Sequence, residues 1–156
     1  MSSKPKSGSN EPVSRYEATA MGRLKSYGLR LTKPRIQVIE RLAKTENPVT
    51  ANDIYEGIVA DGRRIDLVSV YRILNALHEL GLVHHIGLVN AYMPCQLEGE
   101  HSHSSKHFVC ESCEKIIELP SDDNIDSQIK EELAGDGYEV DTVKIEILGK
   151  CQSCNK

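Results

Sequence analysis

Tryptophan is absent from this chain of 156 residues and phenylalanine occurs once, so aromatic side chains make up only 4% of it. Its cores must therefore be mostly aliphatic. No stretch approaches the roughly 20 consecutive apolar residues that a membrane-spanning helix needs, and none is expected to cross a bilayer. The first 13 residues, MSSKPKSGSNEPV, have no apolar h-region, so no signal peptide is expected. Rich in Ser, Lys and Pro, residues 1–14 read as a disordered tail, and the protein as cytoplasmic.

Cysteine is also sparse, but its placement is informative. Four of the five cysteines form two Cys-x-x-Cys pairs, Cys110/Cys113 and Cys151/Cys154. Two thiolates three positions apart sit on one tight knuckle, and two knuckles supply a tetrahedral sulfur cage suited to structural Zn²⁺. Two disulfides, or a redox pair beside an incidental one, would need the same residues, yet nothing in the chain suggests an oxidising compartment.

Charge divides the chain. Residues 1–94 carry 13 Lys and Arg against 9 Asp and Glu, a net of +4, whereas residues 95–156 carry 6 against 14, a net of −8. A basic first half joined to an acidic second half suggests that only the first meets a polyanion.

Helical patterns fill the basic half. Residues 16–27, with Met21 and Leu24, run to a stop at Gly28. Thr32 is positioned to cap a second helix with Pro34 in its first turn and Ile36, Ile39 and Leu42 at helical spacing. Thr50 begins a third, with Ile54, Ile58 and Val59 expected on one buried face and Gly62 as its end. Asp66 precedes a fourth, LVSVYRILNALHELG, whose stripe of Val70, Ile73, Leu74, Leu77 and Leu80 leaves Ser69, Tyr71 and Arg72 on other sides. Two short strands, LVHHI and NAYM, follow around Gly87. Helices followed by a two-stranded ribbon describe a winged helix-turn-helix over residues 15–93, whose last helix would enter the major groove.

Residues 94–105 read as a polar hinge, and residues 106–156 as a small α/β domain. In that domain strand-like runs flank the first knuckle, and a helix follows with Ile125, Ile129 and Leu133 at intervals of four. A strand then alternates Val143, Ile145 and Ile147 with Lys144 and Glu146, so that one face should be buried. Some 50 residues bury little apolar area, so metal or a partner subunit must help. The expected class is α+β.

The segments GLRLTKPRIQVIERL, PVTANDIYEGI, SVYRILNALHELGLV and HFVCESCEKIIEL resemble the ferric uptake regulator superfamily of bacterial metal-responsive repressors. The resemblance implies a winged-helix DNA-binding domain, a dimerisation domain, and a structural zinc on Cys110, Cys113, Cys151 and Cys154. The zinc-sensing members, the zinc uptake regulators, are most similar. Their pattern implies a regulatory zinc on His84, Cys95, His103 and Glu118, two zinc ions per chain in all. His85 rivals the first of these, and His101 and His107 rival the third. One thiolate, two imidazoles and a carboxylate suit Zn²⁺ better than Fe²⁺. Ser104 and Ser105 stand where the iron-sensing members place adjacent histidines.

The function that this implies is a homodimeric, zinc-responsive repressor of zinc uptake genes, binding a pseudo-palindromic duplex operator. Tyr71 and Arg72 are the candidates for base contacts beside Ser69, and Lys33, Arg35 and Arg15 for phosphate contacts. An iron or peroxide sensor of the same superfamily is the alternative. Outside it stand a zinc-buffering adaptor, which leaves the capped helices unexplained, and a thiol oxidoreductase, which needs one exposed reactive pair.

Overall fold

A computed structural model describes residues 14–95, 105–120 and 123–156. Residues 1–13 of the expected tail, the middle of the expected hinge, and His101 and His103 lie outside the described residues, whereas Ser14, expected to end the tail, is described and caps the first helix.

Local sequence sets the first four helices. Helix α1, Arg15–Ser26, begins in a reciprocal capping box between Ser14 and Glu17. Helix α2, Lys33–Ala43, begins after Thr32, whose side chain makes no capping bond, contrary to expectation. There Pro34 stands in the first turn, where the N–H it lacks would have no partner within the helix. Helix α3, Ala51–Ala60, has a second capping box, Thr50 with Asp53. Helix α4, Leu67–Glu79, is capped by Asp66, which accepts from the N–H of Ser69 at 2.8 Å. Gly81, at φ +67°, supplies the left-handed turn that leads from α4 toward the ribbon.

One aliphatic core joins these helices. Leu24, Val38, Ile39, Leu42, Ile54, Val70 and Leu74 are fully buried within it. Val59 is 44% exposed, so the expected face of α3 narrows to Ala51, Ile54 and Ile58. Strands β1, Val83–Ile86, and β2, Ala91–Pro94, pair antiparallel and form the wing. A single 3₁₀ turn, Gly87–Val89, joins them, closed by Asn90 in the left-handed region at φ 46°.

The second half is a three-stranded sheet in the order β4-β3-β5. Strand β3, Ser105–Cys110, pairs antiparallel with β4, Ile116–Leu119, and parallel with β5, Lys144–Gly149. Helix α5, Asp123–Gly135, lies between β4 and β5 in sequence and is tied to β3 by a buried ion pair, Lys106 with Asp126 at 3.3 Å.

The face expected to be buried on β5 is not buried within one chain. Val143 is covered and Ile145 partly so, but Ile147 is 43% exposed, as are Ile117 at 42% and Ile125 at 44%. The polar residue Glu146, by contrast, has a side chain only 15% exposed. The wing covers the polar face, and the apolar face is left open at Ile117 and Ile147.

Candidate metal centres

The first knuckle is built by backbone geometry. The N–H of Cys110 donates to Lys115 O at 2.9 Å, that of Glu114 donates to Cys110 O at 2.9 Å, and Glu114 itself takes φ +57°. The chain thereby turns back within five residues with both sulfurs on one side. At the second knuckle the N–H groups of Cys154 and Asn155 donate to Cys151 O at 3.0 and 2.9 Å. The parallel pairing of β3 with β5 sets Cys110 opposite Gly149 and so delivers the two knuckles to the same end of the sheet.

All four Sγ atoms lie within 4.8 Å of one another. Cys113 Sγ and Cys151 Sγ are 3.7 Å apart. The edge of a ZnS₄ tetrahedron with bonds near 2.3 Å is about 3.8 Å, whereas a disulfide would need about 2.05 Å. The four thiols are free, and the donor set fits a closed tetrahedral site. The N–H of Cys151, which reaches Cys110 Sγ at 3.3 Å, and that of Cys113 hold the Cys110 thiol down at about 6. Hydrogen bonds with Cys151 and Cys113 push Cys154 up to about 12. Four sulfurs this close cannot all ionise without a cation among them.

A second cluster forms where the wing meets the sheet. The knuckle turn pairs Val109 with Ile116 and therefore His107 with Glu118, side by side on β3 and β4. His84, on β1, reaches across so that His84 Nε2 lies 2.9 Å from Glu118 Oε1, and its ring meets that of His107 edge-on at 4.9 Å. Donor atoms of His84, His107 and Glu118 all lie within 4.8 Å of one another. His107 is fully buried and neither of its ring nitrogens makes a hydrogen bond among the described residues. A buried imidazole with no partner is costly, and a cation is the simplest group that would satisfy it.

Cys95 adjoins this cluster. Its N–H donates to Leu82 O at 3.0 Å, its side chain is hydrogen-bonded to His84, and it is half-buried. Electrostatics separate the two histidines. Burial disfavours the charged form of His84, but the Cys95 and Glu118 side chains more than offset it and raise His84 to about 9. Burial, reinforced by the charge of His84, pushes His107 down to about 4. His85, the rival to His84, turns away to Asn90 Oδ1 at 3.1 Å and packs against Tyr92. The clue to His107 in the sequence was the knuckle itself, since a tight turn at Cys110–Cys113 fixes which residue faces Glu118.

On α4, Tyr71 is 41% exposed and Arg72 is exposed beside it. Ser69 is half-buried and its hydroxyl donates to Asp66 at 2.6 Å, so it serves as part of the cap. Lys33 and Arg15 are exposed at the starts of α2 and α1, whereas Arg35 is half-buried and donates to Arg30 O. No helix among the described residues is long and apolar enough to cross a membrane.

Residues 26–148 match the family model described as "Ferric uptake regulator family". The ferric uptake regulation protein of Escherichia coli K12 is 33% identical over 129 residues, covering 82% of this chain and 85% of that protein. The structure of a zinc uptake regulator complexed with zinc and DNA superposes with TM-score 0.80 at 25% identity, over 88% of this chain and 91% of that one. The holo form of XcZur gives 0.76 at 26% identity over 88% and 97%, and its apo form 0.50 at 26% identity over 90% and 96%.

Proposed function

The chain belongs to the ferric uptake regulator family of metal-responsive transcription regulators, and from that premise we propose that it is a zinc-responsive repressor of zinc uptake genes. In this reading it acts in the cytoplasm as a homodimer on a pseudo-palindromic duplex operator. The observation that carries the choice of metal is Cys95. A thiol hydrogen-bonded to His84, which in turn meets Glu118 and His107, offers a mixed sulfur, nitrogen and oxygen donor set. Zinc accepts such a set in four-coordinate geometry, whereas Fe²⁺ favours more oxygen and more ligands. The likeness to the zinc uptake regulator complexed with zinc and DNA supports the same reading. The ferric uptake relatives favour the alternative, an iron sensor.

The structural ion belongs to Cys110, Cys113, Cys151 and Cys154. The regulatory ion belongs to His84, Cys95 and Glu118, with one more imidazole. His107 is the one that the described residues bring to the cluster, and His103 the one favoured by spacing along the sequence.

When bound, zinc supplies a charge that ties three parts of the chain together. His84 stands on the wing, Cys95 just after it, and Glu118 with His107 on the sheet. Closing them on one point fixes the wing and α4 against the sheet. In a dimer that sets the spacing of two recognition helices, and Tyr71 and Arg72 face the groove edge. An ion that favours only the closed arrangement shifts the population by its differential affinity.

The test is DNA selection. Protein loaded with one structural zinc is incubated with a pool of random duplexes and either Zn²⁺ or, anaerobically, Fe²⁺. Enrichment of a palindromic sequence with Zn²⁺, lost in Cys95→Ser, is expected. Enrichment with Fe²⁺ alone, or full zinc-dependent enrichment by Cys95→Ser, would overturn the assignment.

A further inference from the structure

The wing is held to the sheet at a second place. Across β4, β3 and β5, the residues Glu118, His107 and Glu146 stand in one row, because His107 pairs in register with both of the others. All three face the wing. Glu118 and His107 meet His84, and Glu146 meets the 3₁₀ turn beyond it. The N–H of Gly87 donates to Glu146 Oε1 at 2.8 Å, and that of Leu88 donates to Glu146 Oε2 at 2.9 Å. Lys144 pairs with Glu146 at 2.9 Å and donates to the carbonyl of His85.

These are strong interactions of a kind that sequence does not advertise. The peptide N–H groups at the start of a helical turn have no partner within it. A carboxylate that accepts both is a charge-assisted pair of bonds with fixed geometry. Burial would raise the Glu146 carboxyl, but Lys144 and the two peptide N–H groups hold it down at about 2. It is ionised throughout the neutral range, and it needs no metal to grip the turn.

We propose that Glu146 is a positioning residue, a metal-independent clasp that holds the wing, and His84 on it, against Glu118 and His107. The inference rests on the regulatory-site reading above and deepens it. His84 and Gly87 are three residues apart on one short hairpin, so a hairpin gripped at its turn has little freedom to swing His84 away. The clasp raises the fraction of metal-free protein whose donors are already gathered. The apparent metal affinity scales with that fraction. Glu146 therefore sets the concentration at which the regulator responds.

The experiment compares the full-length protein with Glu146→Ala and Glu146→Gln, each carrying its structural zinc. Three readouts are taken: amide exchange at Gly87 and Leu88 with the regulatory site empty, regulatory zinc affinity by chelator competition, and the free zinc giving half-maximal DNA binding. In Glu146→Ala the two amides should exchange faster, and the zinc midpoint should rise roughly tenfold, within the usual range of coupling between sites. DNA affinity at saturating zinc and the structural zinc content should be unchanged. Glu146→Gln, which keeps one accepting oxygen, should fall between.

An unchanged midpoint with unchanged exchange would overturn the clasp. So would loss of DNA binding at saturating zinc with exchange accelerated throughout the sheet, since that is the mark of a purely structural residue. Should the unsubstituted protein answer to Fe²⁺ and not to Zn²⁺, the zinc reading fails while the clasp does not. The same midpoint comparison with Fe²⁺ then decides the clasp, by a shift or by none.

Discussion

Replacing Cys110 by serine should unfold half of the protein and leave the other half standing. The core formed by α1 to α4 and the wing draws all its buried side chains from residues 20–92 and includes none from the sheet. Within residues 105–156, the buried apolar side chains among those described are Val109, Cys110, Val143 and Cys151, and two of these belong to the four-cysteine cluster. At about 1.5–3 kcal/mol each, Val109 and Val143 contribute roughly 3–6 kcal/mol, to which the partly buried Phe108, Ile116, Leu119, Ile129 and Ile145 add smaller amounts. A structural zinc contributes on the order of 10–16 kcal/mol at neutral pH. Such an ion would outweigh the fully buried apolar side chains of this region, and no small domain has stability to spare on that scale. Cys110→Ser also removes the sulfur that accepts the N–H of Cys151 at 3.3 Å. Zinc content, sedimentation and amide exchange together give the assay. Expected are loss of the structural zinc, monomers, and unprotected amides over β3 to β5, with protection in α2 and α4 retained. A zinc-free Cys110→Ser protein that stays dimeric with a protected sheet would refute the argument.

Further outcomes follow from named contacts. Arg72→Ala should weaken binding to a selected duplex and reduce its preference over random duplex, by about 1–3 kcal/mol in discrimination. Lys33→Ala should weaken both at fixed salt without changing their ratio, and a competition titration checks this. Zinc entering the proposed regulatory site must displace a proton from His84, which burial alone would lower but Cys95 and Glu118 raise to about 9. Affinity at the regulatory site should therefore climb as pH rises toward 9, with the proton release visible in calorimetry across buffers. His107, held near 4, adds no proton above pH 5 or so. In metal-free protein the same shift means that protonated His84 stabilises the closed arrangement fully below about pH 6.5, and that this is lost as pH passes 9. Lys106→Ala, which takes the ammonium away from the buried Asp126 carboxylate, should cost about 3–5 kcal/mol in thermal unfolding, whereas Lys106→Met with Asp126→Leu should cost less.

The helical half was legible because its signals are local. Thr50 and Asp66 announce helix starts by chemistry that acts within three residues, and apolar stripes mark the core side; Ser14, read as the end of the tail, instead caps α1, and Thr32 makes no capping bond. The other misreadings came where the deciding partner is distant. Val59 fits the helical stripe by number but points outward. On β5 the alternation was real, yet the apolar side is open in a single chain and the polar side is covered, because the wing sits on Glu118, His107 and Glu146. The open face, with Ile117, Ile125 and Ile147, suits a second copy of the chain. Nothing in the sequence marks Lys106 as buried, and only the fold pairs it with Asp126. For the candidate regulatory site, spacing along the sequence favoured His103, whereas strand register favours His107, and the two rules use different information.

The central claim is that this chain holds zinc in two unlike sites, one of them through Cys95. X-ray absorption at the zinc edge, on protein loaded with two zinc ions per chain and repeated on Cys95→Ser, tests it directly. The account predicts one zinc with four sulfur neighbours and a second with a single sulfur among nitrogen and oxygen, and the loss of that single sulfur in the variant. A second zinc with no sulfur neighbour, identical in the two proteins, or a second site that fills with Fe²⁺ in the presence of equimolar Zn²⁺, would contradict it.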